Sequence, residues 1–155
     1  MVNYVKGNLL DSNCDYICHQ VNCQGVMGSG IARQIRERWP EVYKDYRDWY
    51  ELITSNHAIM LGANDYTPVD DYTKTVISMA AQFCCGYDGK KYTSYDAFYS
   101  CLKQITIDVP KGRKIGFPKN IGCGLGGGNW KVISALIEEI LGNDYEVYIY
   151  ELEGV

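Results

Sequence analysis

The sequence predicts an α/β protein, a sheet covered on both faces by helices that serve as crossovers. Two observations carry this. Short apolar, strand-like stretches alternate along the chain with segments of helical periodicity. Two glycine-rich stretches, "QGVMGSG" and "IGCGLGGGN", each lie between a strand-like segment and a helix-like one. With 155 residues, of which 46% are hydrophobic and 22% charged, the chain is long enough to bury a substantial core, and one domain is expected over residues 1–155.

The elements follow in order. Asn3-Tyr4-Val5 and Tyr16-Ile17-Cys18 read as strands, with Gly7-Asn8 and Asp11-Ser12-Asn13 as turn residues. Ile31, Ile35 and Trp39 then fall on one face of a helix. Pro40 breaks it, and Val42, Tyr46, Trp49, Tyr50 and Ile53 restart a helical stripe with proline in its first turn. Ala58 to Leu61 and Thr75 to Ala81 have the apolar density of buried strands, separated by a polar loop from Asn64 to Tyr72. Thr93-Ser94 caps the next helix, with Phe98, Cys101, Leu102 and Ile105 on its apolar face. Ile115 to Phe117 is a short strand. Asn129 caps a last helix, whose apolar stripe runs from Trp130 to Leu141, and a final strand spans about Tyr145 to Leu152.

A net charge of -4 argues against broad contact with a nucleic-acid backbone, which needs a surplus of Lys and Arg on one face. No apolar run reaches the roughly 18 residues of a membrane span, and the first twenty residues show no secretory pattern. Seven cysteines without a Cys-x-x-Cys pair read as reduced thiols, so a cytoplasmic protein is expected. His19 and Cys23 stand four apart but lack further ligands at metal spacing, so no metal or redox cofactor is expected.

Both glycine stretches occupy the place where open α/β sheets bind ligands, outside the carboxyl ends of the strands. Glycine lets the backbone approach a ligand, and the free N–H groups of a helix start attract anions. Two such loops facing one crevice suit a diphosphate. The P-loop pattern is absent. Gly122, Gly124 and Gly127 satisfy G-x-G-x-x-G, but Asp144 lies at the wrong end of the following strand for a dinucleotide fingerprint. Neither Cys23 nor Cys123 has an Arg six residues on, so no Cys-x5-Arg phosphatase loop is present.

"YVKGNLL", "ICHQVNCQGVMGSGIA" and "FPKNIGCGLGGGNW", in this order and followed by an amphipathic helix and a strand, strongly resemble a macrodomain, the ADP-ribose-binding module. The nearest branches are the ADP-ribose 1''-phosphate phosphatases and the terminal ADP-ribose protein glycohydrolases. The resemblance implies a three-layer α/β/α fold with a central mixed sheet. It places Asn8 and Leu9 at the adenine and Asn22 at the distal ribose. Gly28, Ser29, Gly30 and Ile31 would form the first diphosphate loop, and Gly122, Cys123, Gly124, Leu125 and Gly126 the second, with Leu152 as an apolar wall for adenine. His19 falls where the phosphatase branch has its His, the candidate catalytic residue, with Asp70, Asp71, Asp88 and Asp96 as weak candidates for an acidic partner.

Hydrolytic macrodomains also carry an Asp just after the first glycine loop, or a Lys with an Asp just after G-C-G-L. This chain departs from both patterns, having Ile31-Ala32-Arg33, Gly126 and Met79-Ala80-Ala81-Gln82 at those places. Tyr87, Tyr92 and Tyr95 belong to an aromatic-rich loop that Gly86 and Gly89 would let move as a lid. The expected function is ADP-ribose binding, with hydrolysis of an ADP-ribose derivative, first ADP-ribose 1''-phosphate. The alternatives are a non-catalytic reader of ADP-ribose or ADP-ribosylated proteins and, more weakly, a nicotinamide dinucleotide oxidoreductase.

Overall fold

A computed structural model describes residues 1–86 and 88–152. Six strands form one sheet in the order β1-β6-β5-β2-β4-β3. They are β1 (Val2–Lys6), β2 (Tyr16–Val21), β3 (Asn64–Val69), β4 (Lys74–Ala80), β5 (Lys114–Pro118) and β6 (Glu146–Glu151). All neighbours run parallel except β3, which pairs antiparallel with β4 at the edge, so the sheet is mixed as expected.

Helices α1 (Gly30–Arg38) and α2 (Pro40–Leu52) cover one face, and α3 (Tyr95–Asp108) and α4 (Trp130–Leu141) the other. The period of two along β2 divides its side chains between these layers. Ile17 and Val21 pack toward Ile35, Val42 and Tyr46, whereas Cys18 packs toward Phe98, Leu102 and Ile137. Caps explain where helices begin: Ser94 Oγ accepts from the Ala97 N–H at 3.1 Å and Asn129 Oδ1 from Lys131 N–H at 2.9 Å, as the sequence predicts. Proline at the first turn starts α2 directly after α1 ends.

Two segments differ from the sequence reading. Ala58 to Leu61, expected as a strand, belongs largely to a 3-10 turn over His57–Met60, because Asn56 Oδ1 caps it at the Ala58 N–H, 2.9 Å away. The expected polar loop at 64–72 instead begins with β3, whose alternate residues Thr67 and Val69 turn inward. Its Pro68 is tolerated because β3 is an edge strand. The loop proper is short, turning through left-handed backbone at Asp70, Asp71 and Tyr72. Among the described residues, no helix is long and apolar enough to cross a membrane, and all seven cysteines are free thiols.

Candidate functional site

The parallel strands all deliver their carboxyl ends to one edge of the sheet. There the loops after β2, β4 and β5 enclose a cleft of about 400 Å³, within the range of small-molecule sites. Of the residues expected to bind ligand, Asn22, Gly28, Ser29, Gly30, Ile31, Gly122, Gly124, Leu125 and Gly126 line it.

The first glycine loop is built around Asn22. Its Oδ1 accepts from Gln24 N–H at 2.9 Å and its Nδ2 donates to the Val26 carbonyl at 2.9 Å, which leaves one amide hydrogen unassigned. The Tyr46 hydroxyl, buried beneath from α2, lies 2.6 Å from the Asn22 carbonyl and 2.8 Å from its Oδ1, and accepts from Gly25 N–H at 3.0 Å. Burial pushes the Tyr46 phenol well up, so it stays a neutral donor. The loop ends at α1, whose first N–H groups have no intrahelical partner and whose first turn holds no acidic residue. That end of the helix attracts an anion through its dipole by about 0.3–1 kcal/mol.

The second glycine loop is held by Gln20, Gln82 and Thr93, which the sequence reading did not connect with it. Gln20 Nε2 donates to Gln82 Oε1 at 2.7 Å and to Thr93 Oγ1 at 2.9 Å, and Thr93 Oγ1 donates to the Gly122 carbonyl at 2.6 Å. The Gly126 carbonyl accepts from the N–H groups of Tyr92 and Thr93 at 2.7 and 2.9 Å. Gly127 adopts a φ of +71°, and a Cβ there would stand 2.7 Å from the Lys90 carbonyl oxygen. Only glycine fits between this loop and the 90–93 segment. Lys119 and Asn120 at the end of β5, and Cys85 and Gly86 after β4, complete that side of the cleft. Tyr92 donates to Asp88, and Tyr95 accepts from the Asn129 N–H; Tyr87 lies outside the described residues.

Other expected site residues lie elsewhere. Asn8 Oδ1 is engaged by the Leu10 N–H at 3.0 Å, Leu9 is buried in the α1/α2 layer, and Leu152 follows β6, half exposed. These flank the cleft at the carboxyl ends of β1 and β6 without lining it. The Cys123 thiol turns back to the Ile121 carbonyl, 3.3 Å away, and burial raises its pKa.

His19 is fully buried and does not line the cleft. Its Nε2 meets Ser78 Oγ at 2.8 Å, Nδ1 has no partner among the described residues, and burial lowers the imidazole to about 3. The Asp candidates do not contact it: Asp70 accepts from Trp39 Nε1, Asp88 from Tyr92, and neither Asp71 nor Asp96 bonds to it. The register instead places Ser78 beside His19 and Asp65 beside Ser78, across β2, β4 and β3.

A mixed, mainly parallel sheet between two helical layers, with two glycine loops at its carboxyl edge, defines an α/β ligand-binding domain. Residues 18–137 match the family model described as the Macro domain, and the chain belongs to that family. An ADP-ribose 1''-phosphate phosphatase of Saccharomyces cerevisiae is 29% identical over 178 residues, covering 97% of this chain and 98% of the yeast protein. A DNA ADP-ribosyl glycohydrolase of Mycobacterium bovis is 44% identical over 46 residues, 30% of this chain but only 13% of that protein. The solved macrodomain protein from Streptomyces coelicolor superposes with a TM-score of 0.77 at 25% identity, over 97% of this chain and 98% of its own.

Proposed function

We propose that this chain binds ADP-ribose in the cleft and hydrolyses an ADP-ribose derivative, with ADP-ribose 1''-phosphate as the first substrate to test. The observation that carries the binding reading is the pairing of two glycine loops and the free α1 N-terminus around one cleft, with no carboxylate among the described residues of its lining. Neutral backbone donors there suit a diphosphate dianion in an acidic protein. Asn8, Leu9 and Leu152 would meet the adenine beyond the β1 and β6 ends, and Asn22 the distal ribose. The yeast phosphatase's near full-length alignment supports the hydrolytic part.

In this reading His19 acts by positioning: its bond to Ser78 fixes β2 against β4 two residues before Val21-Asn22. Phosphate release from ADP-ribose 1''-phosphate, followed by phosphorus NMR, is the test. Turnover in the parent protein that is lost in His19→Ala with ADP-ribose affinity retained supports the proposal; unchanged turnover removes His19 from it.

One observation favours a second reading, a non-catalytic reader of ADP-ribose or ADP-ribosylated proteins. Among the described residues that line the cleft there is no His, Asp or Glu, the side chains that most often serve as general acid or base. A reader would bind every ADP-ribose derivative and consume none. Free thiols throughout suit a reducing compartment, which we take to be the cytoplasm.

A further inference from the structure

The cleft lining contains one formally charged side chain among the described residues, Lys119, and it is already engaged. Lys119 Nζ lies 2.7 Å from Glu151 Oε2, with the two side chains 34% and 44% exposed. Its backbone is fixed: β5 and β6 pair as far as Pro118 and Tyr150, and Lys119 N–H donates to the Tyr150 carbonyl at 2.8 Å. From this fixed backbone the ammonium hangs on a flexible four-carbon stem at the mouth of the second glycine loop.

Glu151 has a second cationic neighbour. Lys6 is its register partner on β1 and adds to the attraction that, with Lys119, holds the Glu151 carboxyl below its usual value. Glu151 thus keeps a counter-charge if Lys119 moves away.

We propose that Lys119 is an exchangeable cation, paired with Glu151 in the free protein and transferred to the ligand's diphosphate on binding, with Glu151 as the competing anion that sets the affinity. This rests on the ADP-ribose reading above. A phosphate oxygen offers the ammonium a charge-assisted bond of the same kind as the one it gives up, in a cleft whose other described lining residues carry no formal charge. Without the exchange, the described residues of the cleft meet a dianion with backbone dipoles and neutral side chains.

The test is calorimetric titration of ADP-ribose into the parent protein, Lys119→Met, Lys119→Arg, Glu151→Gln and the double variant, each at low and high salt, with thermal melts to check folding. Lys119→Met is expected to bind about tenfold more weakly, the usual scale for losing a charged hydrogen bond, and with a flatter salt dependence. Lys119→Arg retains most of the affinity. Glu151→Gln binds more tightly than the parent, and the double variant matches Lys119→Met. Unchanged affinity and salt dependence in folded Lys119→Met, or unchanged or weaker binding in Glu151→Gln, overturns the exchange while leaving the ADP-ribose reading intact. Absence of binding by the parent protein overturns both.

Discussion

At the scale of single residues, the Tyr46 hydroxyl is the hinge pin of the first glycine loop. It holds the Asn22 carbonyl, the Asn22 amide and the Gly25 N–H from a buried position that no other side chain fills. Tyr46→Phe keeps the ring and removes all three contacts, leaving buried polar groups unpaired. Stability is expected to fall by about 1–3 kcal/mol, read from denaturant unfolding, with ADP-ribose affinity reduced in the still-folded protein. A variant equal to the parent in both would show that the loop holds its shape without the phenol. Asn22 itself was legible in the sequence through the resemblance of its motif to the macrodomain pattern, and it lines the cleft. Tyr46 was legible only as a core residue on a helical stripe, since nothing local tells which loop a helix 24 residues away will meet.

At the scale of elements, the second glycine loop depends on the segment before α3. Thr93 bridges Gln20 of β2 to the Gly122 carbonyl, so β2, the loop after β4 and the loop after β5 are tied at one hydroxyl. Thr93→Val preserves shape and removes both bonds; we expect ADP-ribose to bind several-fold more weakly, with the secondary structure content by circular dichroism unchanged. Full affinity would mean that the two backbone bonds to Gly126 suffice. These ties could not be read in advance, because they depend on β2 lying between β4 and β5. The glycine loops were legible because turn chemistry and helix periodicity are local signals. The 3-10 turn at His57–Met60 was not, since a four-residue apolar run has the same pattern in a buried strand. Strand β3 was missed because Asp65 and Pro68 read as loop, and only its edge position makes them acceptable.

At the scale of the whole molecule, a buried and a half-buried group on the α1/α2 side of the sheet oppose each other in their effect on stability with pH. Burial lowers His19 from 6.5 to about 3, so between those values the unfolded chain holds a proton that the folded one refuses. Its contribution is complete above pH 6.5 and is lost as pH falls through that window. Burial, then the charge of neighbouring Asp45, raises Asp65 from 3.8 to about 7, so here the folded state holds the extra proton and stability is lost as pH rises across that interval. Relative to the parent, Asp65→Asn should gain stability as pH rises from 3.8 to about 7 and change no further above it. His19→Gln should gain relative to the parent as pH falls below 6.5. Parallel curves for parent and variants across these ranges would contradict the placement of both side chains.

The central claim, that the cleft between the two glycine loops holds ADP-ribose, is tested most directly by calorimetric titration of the purified protein with ADP-ribose, using ADP as the control. The account predicts micromolar or tighter binding of ADP-ribose that ADP does not match, because the distal ribose and its contact with Asn22 contribute only to the former. Failure of the folded protein to bind ADP-ribose, or binding of ADP with equal affinity, would contradict it.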